Sequence, residues 1–311
     1  MEKFILASLK IFFWISIGIL LKFITNKIDI LKNKLTKIID FFSGLIMIFI
    51  VPYFVGINIW LNGISKKIFF PILILLLFIM SVTYYFSSVL KKYNLPIKET
   101  YLSLTFMNTL YLGIPVTEYF ISPSAIYYTI LYSIIAAILQ FTLGIFLISP
   151  NIKSLKFILT SPMIYAFMLG YIANVYKIPN LQLLINIKNF ISLTLSPTML
   201  IFIGYNIQWK NLTKNIFLHI IINLLRTVII FILSILFCII VKNFIFLDDN
   251  FIKTLILISI LPSAIMNYII LKNLNIDTDF TSGEIVWGTL ITLFLLPYLS
   301  EFMEIILLTL K

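Results

Sequence analysis

The chain has 311 residues, of which 61% are apolar or aromatic and only 11% charged, with a mean hydropathy of +1.09. A soluble domain carries roughly 45–50% apolar and about 25% charged residues; a water-exposed globular fold is therefore excluded, and ten membrane-crossing helices of about 20 residues each account for nearly the whole length. The net charge of +11 does not mark a nucleic-acid binder, because the lysines fall in short loops between apolar runs, where membrane topology explains them.

In chain order, apolar runs predict spans over Phe4–Ile24, Ile38–Leu61, Phe69–Leu90, Glu99–Ile121 and Ser124–Ile148. Five more follow over Leu155–Tyr176, Ile187–Ile207, Ile216–Val241, Phe251–Leu271 and Phe280–Leu308. The first run is too long for a signal peptide and no small-residue cleavage pattern follows it, so it is expected to remain as a span. Lone Cys238 forms no internal disulfide. With the N-terminus outside, the cytoplasmic loops hold 13 of the 22 lysines, Lys22, Lys27, Lys32, Lys34 and Lys37 among them. The positive-inside bias therefore expects both termini outside.

The two halves of the chain repeat. At a shift of 148 residues, Gly56 matches Gly204, Asn58 matches Asn206, Ile59 matches Ile207, Lys66 matches Lys214, Ile68 matches Ile216 and Phe69 matches Phe217. Two of these identities, at Asn58 and Lys66, are polar, which argues against coincidence between two apolar stretches. The unit is five spans (residues 1–150 and 151–311), an odd number, so the second half must cross the membrane in the opposite sense. Inverted repeats of this kind are a signature of secondary transporters, with substrate bound where the repeats meet.

At nearly the same shift Pro115 of span 4 falls on Pro262 of span 9. A proline inside a helix removes a hydrogen bond and clashes with the preceding turn, and in hydrocarbon the freed groups must find partners or line a cavity. Gly113 before Pro115 adds backbone freedom. The expectation is that Pro115 and Pro262 each start a half-helix, and that the two positive heads meet at an anion site. Pro52, Pro197 and Pro297 are assigned to structural kinks.

Polar residues break this symmetry. Arg226 lies roughly midway along span 8, where arginine costs about 2.5–3.5 kcal/mol to insert, and its repeat-mate is Phe78. It either faces an anionic substrate or serves a fixed salt bridge or unwound backbone. Glu118 either steadies the dipole of a half-helix beginning at Pro115 or carries a coupled proton. Glu284 either lines an inner vestibule or sits at the membrane interface, and His219 is read as interfacial. Asn108 and Thr109 precede Pro115, and Ser263 and Asn267 follow Pro262; each serves either the broken backbone or a substrate. No metal-ligand cluster, nucleophile–histidine pairing or phosphate loop is apparent, so no enzyme, cofactor or metal is expected.

Asn108-Thr-Leu-Tyr-Leu-Gly-Ile-Pro115 resembles the Asn-Thr-Gly-x-x-Gly-Ile-Pro segment of the auxin efflux carrier (PIN-like) family. Pro262-Ser-Ala-Ile-Met-Asn-Tyr268 is similar to that family's Pro-x-Ala-x-x-Asn-x stretch, and Leu195–Gly204, Thr289 and Pro297 fall in its order. Leu110 and Leu271 depart from the small residues usual there, and span 3 has no carboxylate of the kind found near the plant carriers' site. The resemblance implies an all-α membrane protein with the sodium/proton-antiporter-like fold. That fold has ten helices in an inverted five-plus-five repeat, with discontinuous helices 4 and 9 crossing near the midplane. Spans 1, 2, 6 and 7 would form a scaffold and homodimer surface, and spans 3–5 and 8–10 a moving transport domain. It further implies alternating-access transport of a small organic anion, such as malate or an auxin-like acid, across a bacterial cytoplasmic membrane. Asn108, Pro115, Pro262 and Asn267 would surround the anion. A sodium- or proton-coupled symporter of the same fold, or a membrane sensor that binds without transporting, are the alternatives.

Overall fold

The computed structural model describes residues 2–27, 37, 41–42, 44–150, 160–206, 215–242 and 248–310. The first helix, α1, covers Glu2–Lys27. A π-turn at Ile46–Ile50 leads into α2 (Val51–Asn62), and α3 covers Lys66–Leu90. The fourth is interrupted: α4a is Ile97–Thr105 and α4b is Ile114–Phe120, the latter entered through a π-turn at Thr109–Gly113. Helix α5 runs over Ile126–Leu139 and through another π-turn, Gln140–Gly144, into Ile145–Ile148. Then come α6 (Pro162–Val175), α7 (Gln182–Asn206) and α8 (Ile216–Val241). The ninth is interrupted as well, with α9a at Asp249–Ser259 and α9b at Ile265–Asn273, before α10 at Asp279–Leu310. No strand occurs among the described residues.

Among the described residues, six stretches are long and apolar enough to cross a bilayer: Leu6–Thr25, Lys66–Tyr93, Pro123–Ile148, Gln182–Tyr205, Ile216–Val241 and Asp279–Leu299. Their length and composition fit a multi-pass membrane protein. Shorter apolar helices cover Ile48–Asn62 and Pro162–Val175. The predicted beginnings of spans 2 and 6, at Ile38 and Leu155, lie outside the described residues. So do Ile207 and Lys214 of the repeat, and Lys32, Lys34, Lys153, Lys156 and Lys210 of the charge count. Pro197 and Pro297 sit inside α7 and α10, with helix on both sides.

Two helix pairs approach closely at glycine. Helix α2 crosses α6 where Gly56 meets Gly170; a Cβ on Gly170 would lie 2.2 Å from the Gly56 carbonyl oxygen. Helix α1 crosses α7 where Gly18 meets Gly204, and a Cβ on Gly204 would lie 2.1 Å from the Ile15 carbonyl oxygen. Lipid is as apolar as leucine, so helices in a membrane associate through close van der Waals contact, which small residues permit. Elsewhere α8 packs on α10, α9a and α3, while α5 packs on α3, α4b and α9a.

Overpacking a tight contact costs about 1–3 kcal/mol. Gly170→Leu is therefore expected to lower the thermal unfolding temperature of the purified protein. Gly44→Ala, whose added carbon would meet nothing within 4 Å, is expected to leave it unchanged.

Candidate functional site: the crossing of two interrupted helices

The interruptions in α4 and α9 are a single feature. After Thr105 the backbone turns extended at Phe106 (φ −109°, ψ 118°), and Ala264 is likewise extended (φ −65°, ψ 136°). The two extended stretches pair antiparallel at Met107 and Ser263. The Asn108 N–H donates to the Pro262 carbonyl at 2.8 Å, and the Ala264 N–H donates to the Phe106 carbonyl at 2.9 Å. Away from water an unpaired peptide group is costly; here each break supplies the partners that the other lacks.

Asn267 completes the repair. Its Nδ2 lies 2.9 Å from the Leu102 carbonyl, 3.1 Å from the Phe106 carbonyl and 3.0 Å from Ser263 Oγ, while its Oδ1 accepts from Gln140 Nε2 at 2.6 Å. Asn267 thus bonds the interrupted backbone. Ser263 is fully buried with it.

Pro115 stands in the first turn of α4b, whereas α9b does not begin at its proline. The segment leading into α4b starts at Thr109, six residues before Pro115, and α9b starts at Ile265, with Pro262 in the extended link. Pro115 has no N–H and its ring crowds the carbonyl four residues back; the widened π-turn at Thr109–Gly113 is how the chain makes room. Glu118 consequently lies in the last turn before Phe120, where a negative charge opposes the helix dipole, and it accepts a hydrogen bond from Ser196 of α7. The dipole role expected of it is therefore incorrect. Gly113 is a packing glycine: an added carbon would sit 3.1 Å from Leu261 Cδ1 and 3.3 Å from Thr129 Cγ2.

Both half-helix heads open on one cavity of about 260 Å³. Asn108, Thr109, Leu110 and Tyr111 line one side and Ala264, Ile265 and Met266 another, closed by Ser133, Ala137 and Gln140 of α5 and by Pro162 and Met163 of α6. Among the described residues the N–H groups of Leu110, Tyr111, Ile265 and Met266 have no backbone acceptor. Asn108 is 3% exposed, and its side chain makes no capping bond. Ser133 Oγ donates to Thr109 Oγ1 at 2.8 Å.

Of the predicted site residues, then, Asn108 and Thr109 line the cavity, Ser263 and Asn267 stand behind it, Gly113 packs against Leu261 and Thr129, and Pro115 and Pro262 lie at the interruptions. Gln140 and Ser133 were not anticipated, although a lone amide and a hydroxyl in the apolar run of α5 are visible in the sequence.

Arg226 and Glu284 do not line this cavity. They belong to a second buried group, between α8 and α10. His219 Nδ1 lies 2.7 Å from Glu284 Oε1, and Asn223 Nδ2 donates to Glu284 Oε2 at 2.8 Å. His219 is 3% exposed and Glu284 1%, so both side chains are buried inside the protein. Arg226 is 1% exposed, and none of its guanidinium nitrogens has a hydrogen-bond partner among the described residues. Glu284 acts on it electrostatically without bonding it. The salt bridge weighed for Arg226 is therefore not formed in this structure.

Fold and site together define a helical protein of multi-pass membrane composition with a small cavity between two interrupted helices. No protein-family model matches the sequence, and no curated protein matches it.

Leaving a buried carbonyl or amide unpaired costs about 1–3 kcal/mol. Asn267→Ala strips partners from Leu102, Phe106 and Gln140, and should destabilise the protein by at least that amount. Asn108→Ala, which removes an amide without a capping bond, should change stability by less than about 1 kcal/mol. Thermal unfolding of the two variants in the same detergent compares them.

Proposed function

We propose that the protein is a secondary transporter of a small organic anion, with the anion held in the cavity between α4 and α9. One observation carries the proposal. Four N–H groups at two half-helix heads, those of Leu110, Tyr111, Ile265 and Met266, stand without backbone acceptors around one cavity. Such heads are ready-made anion sites, and paired broken helices of this kind form carboxylate sites in transporters. The Asn108 amide adds a donor. A volume of 260 Å³ lies just under the roughly 300–1,000 Å³ of drug-sized ligand pockets, which suits a short carboxylic acid.

Further support comes from the helix pairs. The repeat-mates Gly56 and Gly204 each press on a glycine of another helix, Gly170 and Gly18. A five-span repeat in which the α2–α6 and α7–α1 contacts correspond would account for this. The antiparallel pairing at Met107 and Ser263 fits halves that cross in opposite senses. The cavity is walled on one side by α6 and on the other by α4, α5 and α9. Sliding of those three against the scaffold pairs would expose the cavity to each side in turn. This is the arrangement implied by the resemblance to auxin efflux carriers, with malate as a suitable test substrate.

Proteoliposomes containing the full chain are expected to exchange external labelled malate for internal malate. Asn108→Ala should slow exchange about tenfold or more, as expected for a lost hydrogen bond to a charged ligand, and Ala137→Phe, which fills the cavity, should abolish it. Exchange at the parent rate in both variants would show that this cavity is not the route.

A further inference from the structure

The His219–Asn223–Arg226–Glu284 group is left without a task by the anion site. We infer that transport is coupled to a proton carried by the His219–Glu284 pair, with Arg226 as the resident charge that ties the proton to the anion. The inference rests on the carrier reading above.

His219, Asn223 and Arg226 lie at i, i+4 and i+7 on one face of α8. Glu284 of α10 engages the first two: its Oε1 is 2.7 Å from His219 Nδ1 and its Oε2 accepts from Asn223 at 2.8 Å. An imidazole nitrogen and a carboxyl oxygen at that distance share one proton, and the pair can hold one more. Arg226 is always charged, and burying it requires a compensating charge. With Glu284 ionised and His219 neutral, the group is neutral overall. An added proton leaves one positive charge uncompensated in a dry site. An anion arriving nearby supplies the balance, so anion and proton each favour the binding of the other. This coupling is reciprocal by thermodynamic necessity.

The group is close to the cavity. Gly288 of α10 lies between Asn223 and the broken helix: a Cβ there would lie 2.4 Å from Asn223 Oδ1 and 3.0 Å from Pro262 Cβ. The Pro262 carbonyl in turn holds the N–H of Asn108 at 2.8 Å. Other titratable groups stand on the elements packed around the pair. Glu99 of α4a is acted on by Asp277 and Lys98, Tyr101 packs edge-on against Tyr84 of α3, and Lys253 of α9a pairs with Glu304 at 3.1 Å. Lys66 and Lys67 of α3, and Asp249 and Asp279, stand in first helical turns. His219 and Arg226 are the charged groups that act on Glu284.

The test uses full-chain proteoliposomes loaded with a pH-sensitive dye, with the membrane potential clamped at zero and labelled malate outside. At one proton per anion, an inward-acid gradient of about one pH unit should drive about tenfold accumulation, with acidification of the lumen. Glu284→Gln, whose amide imitates the protonated acid, should lose accumulation and acidification while still exchanging malate for malate. His219→Gln should move the pH at which accumulation is half-maximal. Malate exchange that ignores the gradient and moves no proton overturns the coupling and leaves the carrier intact; absence of malate exchange in the parent counts against the carrier reading itself. A measurement free of any substrate accompanies these. Infrared difference spectra of the membrane-embedded parent on a pH step should show a carboxylic-acid carbonyl band that Glu284→Gln removes. Identical spectra from the two proteins also overturn the proposal.

Discussion

A peptide group freed from a helix in a water-poor interior must be bonded again, and this constraint organises the centre of the molecule. Breaking one helix would leave several N–H and C=O groups stranded. Breaking two and laying the breaks side by side lets each repair the other. The Met107–Ser263 pairing is that repair, with Asn267 reaching back to the carbonyls of Leu102 and Phe106. Neither break is tolerable alone, so the positions of α4 and α9 are set by one another.

What the repair omits is as informative as what it includes. The Phe106 and Pro262 carbonyls at the break are bonded, but among the described residues the N–H groups heading the two half-helices have no backbone acceptor. The unbalanced polarity is therefore positive, and it is presented to a cavity walled mostly by apolar side chains. In the proposed carrier this leaves the site incomplete until an anion enters. Such incompleteness is a binding energy held in the fold without any charged side chain in the cavity.

The charges instead lie one helix layer away, in the cluster around Glu284. Gly288 makes that separation thin. A larger residue there would collide with both Asn223 and Pro262, so the polar group on α8 and the break in α9 touch the same point of α10. The glycine contacts of α1 with α7 and of α2 with α6 serve another purpose: they join helices through backbone proximity, which needs no polar bond across the contact.

Hydropathy alone determined that the chain is helical and apolar enough to cross a membrane, because bilayer thickness sets how long an apolar run must be. The prolines showed that spans 4 and 9 are interrupted, since proline's missing N–H is a local property. Where each break falls was not legible. It lies at Phe106–Asn108 and Ile260–Ala264, because the break settles where the facing strand can bond it. The same limit governed the polar residues. Asn108 and Asn267 read alike in the sequence, yet one is free and the other is bonded at both ends of its amide. His219 and Glu284, 65 positions apart, gave no sign of meeting. A residue's chemistry is written in the chain, but which groups it can satisfy depends on neighbours brought from distant segments, and only the tertiary structure decided those.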